Sequence, residues 1–355
     1  MKRFRLLLLN ELKLFRTTIP IHAIGVFQPA LMFSLMAFIL VMPTFDMHVA
    51  QPVAPIEEEL LSAMHEVGSP IGEPYINPIL VDTDSIDDYS GAQLVAFETV
   101  GGKLTAVQRY GLIDSNIVKN FRNRLTTAAL ILWNESLSGY AVTIEQRPWL
   151  PRDIPYTVYF GMAMLPMAAF LAASLTGGAL TAQEFEFDTI TEYRLSPISM
   201  FLIIGTRLLR LSLTGLLSGS VLMLALGLLG GLWPSSLLAA LAILLEISLL
   251  GACLGMIAGL VMQSTLPSFL IGLATTFFIW IMGSAFGLSA GFGGTYEAIS
   301  RWMPITHAVE LLFPLYYHVG IGSSQPAILF IGGACIVMVV LTTVIYRQKI
   351  LVRQR

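Results

Sequence analysis

Few residues of this chain stand at spacings that perform covalent chemistry. The five histidines, at 22, 48, 65, 307 and 318, fall at no metal-ligand spacing. Gly101-Gly102-Lys103-Leu104 has Phe97 where a phosphate-binding loop needs its first glycine and no Ser or Thr after Lys103, so it reads as a hairpin turn. No G-x-S-x-G motif occurs, and Cys253 and Cys335 both lie inside apolar runs, which excludes a disulfide framework and a zinc cluster. The expectation is no catalytic centre and no metal site. What remains informative is charge in unusual places. From Gln183 to Ser199 the chain reads QEFEFDTITEYRLSPIS, with acids alternating with aromatic residues and then a short helix predicted over 189–194 and stopped by Ser196-Pro197. That is an amphipathic knob fit for a groove on a soluble partner; the same composition also suits a solvated turn between two helices. Arg207, Arg210 and Glu246 lie inside apolar runs, where a charge near the bilayer centre costs about 2.5 to 3.5 kcal/mol. Arg207 reads as snorkelling toward headgroups. Glu246 has three readings: an ion pair with Arg210, a polar point on a cargo path, or a bond to Ser or Thr hydroxyls.

The elements that carry these charges are membrane elements. Of 355 residues 55% are apolar and 12% charged, against about 25% charged in an average soluble domain, and the mean hydropathy is +0.74. Apolar runs at 24–42, 156–180, 201–229, 237–262, 268–288 and 327–346 predict six transmembrane helices. A net charge of −3 provides no global basic field for nucleic acid. Residues 1–22 carry five basic residues among Phe and Leu and predict an amphipathic helix lying on the membrane surface. Segment 46–153 breaks the membrane composition with fifteen acidic and seven basic residues. It reads as a small water-exposed α+β domain: an irregular Pro-rich start, short strands near 79–81, 94–97, 104–110 and 141–145, and a helix after Asp114 with Ile117, Phe121, Leu125, Ala128 and Leu132 on its apolar face. Segment 291–325 mixes Arg301, Pro304, His307, Glu310 and Pro314 with apolar residues and predicts a re-entrant or interfacial pair of short helices.

Lys and Arg set the orientation. The short segments 1–22, 181–200, 263–267 and 347–355 hold ten basic residues, and the 148 residues on the other side hold eight. The positive-inside rule therefore predicts both termini in the cytoplasm and 46–153 outside. Small residues repeat at spacing four in Gly251, Gly255, Gly259 and in Gly283, Gly287, Gly291, which lets a second helix approach closely, within the chain or across a dimer.

Glu184-x-Glu186-x-x-Thr189 followed by Leu195-Ser196-Pro197-x-Ser199 resembles the cytoplasmic loop of type 2 ABC transporter permeases, and Met303-Pro304-Ile305-Thr306-His307-Ala308-Val309-Glu310 resembles the segment before their last crossing. Asp188 stands where that family usually has glycine. The resemblance implies an all-α polytopic membrane protein with an α+β extracytoplasmic insert, serving as the membrane subunit of an ATP-driven exporter in a prokaryotic inner membrane. It implies an elbow helix at 1–22 and a coupling loop at 183–197, with Glu184, Glu186, Thr189, Glu192, Leu195, Ser196 and Pro197 at the contact with an ABC ATPase subunit. No cofactor belongs to this chain; ATP and Mg are expected on that partner. A second permease copy or a paralogue and membrane lipid are the other partners, with the dimer contact near the first and fifth crossings and so near the second glycine array. Pro304, Thr306, His307 and Glu310 form the motif before the last helix. The competing expectations are a nontransporting sensor whose outer domain binds a ligand and a lipid-modifying enzyme, for which no acid and base pair is evident.

Overall fold

The computed structural model describes Leu9 and residues 18–40, 45–68, 74–82, 93–100, 103–110, 115–136, 156–195, 198–283, 294–317 and 325–352. The chain forms two compact units, one from 1–39 with 156–355 and one from 40–155.

The first unit is helical. Its elements are α1 (Ile19–Leu40) and, after the second unit, α4 (Tyr156–Glu186), α5 (Ile190–Leu195), α6 (Met200–Gly230), α7 (Leu237–Met262), α8 (Thr265–Met282), α9 (Gly294–Ser300), α10 (Pro304–Tyr317) and α11 (Gln325–Val352). Among the described residues five of these, α4, α6, α7, α8 and α11, are long and apolar enough to cross a membrane, which makes this a membrane protein of helical type. α1 is apolar and shorter over its described side chains.

α4 sits at the centre. It is apolar on every side, as a helix without a polar face must be when other helices surround it, and α6, α7, α8 and α10 all pack against it. Alanine, glycine and serine recur along it, and Ala168, Ala169, Ala172, Ala173 and Ser174 are almost wholly inaccessible. The tightest seam is with α7. A Cβ added at Gly251 or Gly255 would overlap the carbonyl of Phe170 or Ser174, and one at Gly259 would lie 2.7 Å from the Gly178 carbonyl. The first glycine array is thus an intrachain seam. In the second array only Gly283, which caps α8, is described, and 287 and 291 lie outside the described residues.

Several predicted boundaries move. The helix expected at 24–42 begins at Ile19, since Ile19 to His22 already lie in it. The second continues six residues past 180 to Glu186, because the carboxylates at its end find partners and Phe185 is buried. The helix expected at 268–288 begins at Thr265 and is described as far as Met282, with 284–288 outside the described residues. Segment 291–325 contains the two helices α9 and α10, with 291–293 and 318–324 outside the described residues. The surface helix of 1–22 lies outside them too, apart from Leu9 and 18–22.

The second unit contains β1 (Phe45–Ala50), α2 (Pro55–Glu66), β2 (Ile76–Val81), β3 (Gln93–Val100), β4 (Lys103–Tyr110) and α3 (Ser115–Ser136). The sheet order is β2-β1-β3-β4, with β1 parallel to β2 and β3, and β3 antiparallel to β4. Met47, Val49, Ile76 and Val95 on one face of the sheet pack against Leu60, Ala63 and Met64 of α2 and Ala128 of α3. The start of this segment is regular, not irregular as its prolines suggest. Pro55 occupies the first turn of α2, where a missing N–H costs nothing, and the Glu57 carboxylate accepts from the Val53 and Ala54 amides at 2.7 and 3.0 Å. Val100 pairs with Lys103, so Lys103 opens a strand and not a helix, as a phosphate loop would require, while 101 and 102 lie outside the described residues. The strand expected at 141–145 lies outside the described residues.

Candidate functional site: the α4–α5 knob and the α9–α10 corner

The α4–α5 turn is built around one cation. Arg207, eight residues into α6 and 3% exposed, forms an ion pair with Glu184 at the end of α4. Its Nη1 donates to Glu184 Oε2 at 2.6 Å and to the Tyr346 hydroxyl of α11 at 2.7 Å. The guanidinium also lies over the Tyr193 ring of α5, 4.5 Å from its centroid. One planar cation with five donors and a π-accepting face thereby joins four helices, a combination an ammonium does not provide. Arg207 does not snorkel: carboxylate and phenol satisfy it inside the protein. Beneath it Phe185, Ile190, Ile204, Leu208, Leu211 and Tyr346 form an apolar cluster that seats the turn.

Glu186 performs a second clamping task. Its carboxylate accepts from the Thr265 amide at 2.7 Å, from Thr265 Oγ1 at 2.6 Å and from Ser264 Oγ at 3.1 Å. It serves as the N-cap acceptor that the first turn of α8 needs, supplied from another helix and favoured by the positive end of the helix dipole. Glu184 and Glu186, both expected at a partner contact, therefore hold the chain to itself. Thr189 Oγ1 donates to the Glu184 carbonyl at 3.5 Å, a long contact across the turn. Asp188 has φ 54°, a left-handed conformation that favours glycine and that Asp tolerates better than most side chains; this is why glycine suits the position. The exposed groups at the tip are Phe187, at 72%, with Asp188 and Glu192. Leu195 closes α5, and Ser196 and Pro197 lie outside the described residues. Next to Glu186, a cavity of about 320 Å³ is lined by Ile21, Ile24, Ala179, Leu266 and Phe269, with Glu186, Ser264 and Thr265 at one end.

The four residues of the motif before the last helix meet at one corner. Pro304 starts α10. Thr306 Oγ1 donates to the Ser300 carbonyl at 2.7 Å and lies 2.9 Å from its hydroxyl, both side chains being buried. His307 places Nδ1 3.2 Å from Glu310 Oε2 and Nε2 2.9 Å from the Arg301 carbonyl, and its ring stacks on Phe330 of α11 at 4.2 Å. Both ring nitrogens face acceptors, which only the imidazolium satisfies fully. Burial, the largest influence, lowers its pKa, but the Glu310 carboxylate and the Arg301 carbonyl together raise it above the usual 6.5. A raised folded pKa stabilises fully below the unfolded value and is lost as the pH rises through the folded one. Hydrogen exchange at residues 294–306, corrected for intrinsic rates, is expected to accelerate as the pH rises above the ordinary histidine value of 6.5 in the wild type and to be flat with pH in His307→Gln. An unchanged wild-type profile would mean that the corner is held by Ser300 and Thr306 alone.

Arg210 and Glu246 are not brought together. Arg210 is buried beside His22 of α1, whose Nδ1 lies 3.3 Å from the Thr214 hydroxyl. Glu246 faces α11, where Cys335 Sγ donates to its backbone carbonyl at 3.4 Å. Among the described residues the Glu246 carboxyl has no ion pair or hydrogen bond. The expected Arg210–Glu246 pair fails because α6 turns Arg210 toward α1 while α7 turns Glu246 toward α11.

Sequence reasoning missed Tyr193, Tyr346 and His22 as site residues, and misplaced Arg207. A detectable signal existed: an Arg two turns into a crossing, with a Glu at the end of the preceding one, places opposite charges at matching depth. Among the described residues no three His, Cys, Asp or Glu side chains converge as metal ligands would. No protein-family model matches the chain, and no curated protein matches it.

Proposed function

We propose that the chain is the membrane subunit of an ATP-driven exporter of the type 2 ABC kind, that it works with a second copy or a paralogue, and that a separate subunit hydrolyses the ATP. α1, 22 residues long, rises about 33 Å at 1.5 Å per residue and supplies the sixth crossing. The acidic unit of 40–155 then lies outside as an α+β domain, and the termini and the α4–α5 knob lie on the cytoplasmic face of a prokaryotic inner membrane.

One observation carries this reading. The knob presents Phe187, Asp188 and Glu192 to solvent while Arg207 ties its base to α4, α5, α6 and α11. A push on the tip therefore moves transmembrane helices together instead of bending a loop, which is what coupling ATP-driven closure of a partner to helix rearrangement requires. The mostly apolar cavity between α1, α4 and α8, with Glu186 at one end, suits part of an amphipathic or lipid-like cargo.

The test uses tagged full-length protein purified from the membranes of its own host. An ATP-hydrolysing subunit is expected to copurify, and Phe187→Ala with Glu192→Lys is expected to reduce its recovery about tenfold, as loss of an aromatic anchor does, without changing thermal stability. Full retention by the double variant would make the turn an ordinary connection. Absence of any ATPase, together with ligand binding by the 40–155 unit, would replace the exporter by a sensor.

A further inference from the structure

Ser218 of α6 is wholly buried, and its hydroxyl meets the backbone of another helix. Oγ donates to the Gly25 carbonyl of α1 at 3.1 Å and to that of Val26 at 3.3 Å. These carbonyls stand four and three residues before Pro29, inside a helix that runs on from Ile19 to Leu40. Proline has no N–H, so the Gly25 carbonyl lacks the donor that the helix would otherwise give it, and the pyrrolidine ring crowds the same carbonyl. Helices bend at such positions, and in hydrocarbon a neighbouring helix has to supply the missing donor. Ser218 supplies it. A similar contact recurs in the central helix, where Trp280 Nε1 of α8 donates at 3.2 Å to the Ala163 carbonyl, three residues before Pro166.

We infer that α1 is jointed at Pro29 and that Ser218 is the latch that sets the angle of the joint, so that residues 19–28 move with α6. A second contact stands about one turn earlier in both helices, where the Thr214 hydroxyl lies 3.3 Å from His22 Nδ1. The opposite side of α1 is exposed at Phe27 and Leu31, by 60% and 73%, so among the described residues the joint is confined from the α4 and α6 side. α6 also carries Arg207, the anchor of the knob, and a displacement of the knob therefore reaches α1 through α6. Ile21 and Ile24 of the jointed half line the cavity beside Glu186, so the angle at Pro29 sets the width of that cavity. This consequence for a cargo rests on the exporter reading; the joint and its latch do not.

The test needs neither ATPase nor cargo and uses the full-length protein in phosphatidylcholine vesicles, with Cys253 and Cys335 replaced by alanine. Spin labels at the exposed positions Ile19→Cys and Leu35→Cys, about 24 Å apart along the helix axis at 1.5 Å per residue, report the bend as a distance distribution. A single narrow distribution is expected with Ser218 in place and a broader one in Ser218→Ala. In Pro29→Ala, where the Gly25 carbonyl regains a donor within its own helix, adding Ser218→Ala should leave the distribution narrow. Thermal unfolding provides the second measurement. Ser218→Ala is expected to lower the midpoint by about 2 to 4 °C, the shift that one buried hydrogen bond gives in a unit of this size, and by less than half of that in the Pro29→Ala background. An unchanged distribution in Ser218→Ala would overturn the inference. So would equal broadening, or an equal loss of midpoint, with and without Pro29, since the hydroxyl would then be an ordinary contact between two helices.

Discussion

Gly255→Leu is expected to destabilise the detergent-solubilised protein by more than about 3 kcal/mol, the upper range for overpacking, and to leave little folded material at 37 °C. At this position even a methyl group would overlap the Ser174 carbonyl and lie 2.9 Å from the Gly178 amide nitrogen. These are backbone atoms of α4, which cannot rotate away as a side chain can. The central helix would have to shift, and with it its contacts with α6, α8 and α10. Gly332→Ala provides the contrast: nothing stands within 4 Å of the added carbon, and the gain in helix propensity is about 0.5 to 1 kcal/mol. Thermal unfolding followed by fluorescence of the native tryptophans checks both. Equal tolerance at 255 and 332 would remove the α4–α7 seam as the basis of packing in the helical unit.

Arg207→Leu is expected to cost about 3 to 5 kcal/mol, the usual penalty for stripping one partner from a buried ion pair. Glu184 would be left with 16% of its side chain exposed and no cation beside it, and Tyr346, wholly buried, would lose the donor to its hydroxyl. Arg207→Lys should rescue only in part, since an ammonium does not reach carboxylate, phenol and ring face in the plane that the guanidinium occupies. The double variant Glu184→Leu with Arg207→Leu is expected to recover most of the loss, because replacing both charges with apolar groups removes the stranded carboxylate. Its value lies in separating stability from the proposed coupling: a stable double variant in which Arg207 no longer holds α5 through Tyr193 should retain its fold and, on the exporter reading, lose ATPase-dependent transport. Additive losses in the cycle would mean that Arg207 and Glu184 act independently and that the knob has no common anchor.

Much of the helical unit was legible in the sequence because lipid leaves so few options. A helix must satisfy its own backbone in hydrocarbon, so long apolar runs declare themselves, and 237–262 is observed as α7 without a change of boundary. The apolar positions Leu125, Ala128 and Leu132 likewise mark the face of α3 that meets the apolar cluster of its own unit, since a 3.6-residue period leaves them on one side. What composition could not convey was the partner of each polar group. Glu184 and Glu186 stand two residues apart, look alike as exposed acids, and face in directions about 200° apart around the helix; one meets Arg207 and the other the start of α8. β1 and α2 stayed hidden behind Pro52 and Pro55, because a proline reads as a break until the fold places it in a first helical turn. The glycine array on α7 announced a close approach, and only the tertiary structure decided that the approaching backbone is α4. Spacing along the chain determines which residues share a face, whereas the relative rotation of packed helices decides what that face meets. That rotation separates Arg210 from Glu246, turning one charge to α1 and the other to α11.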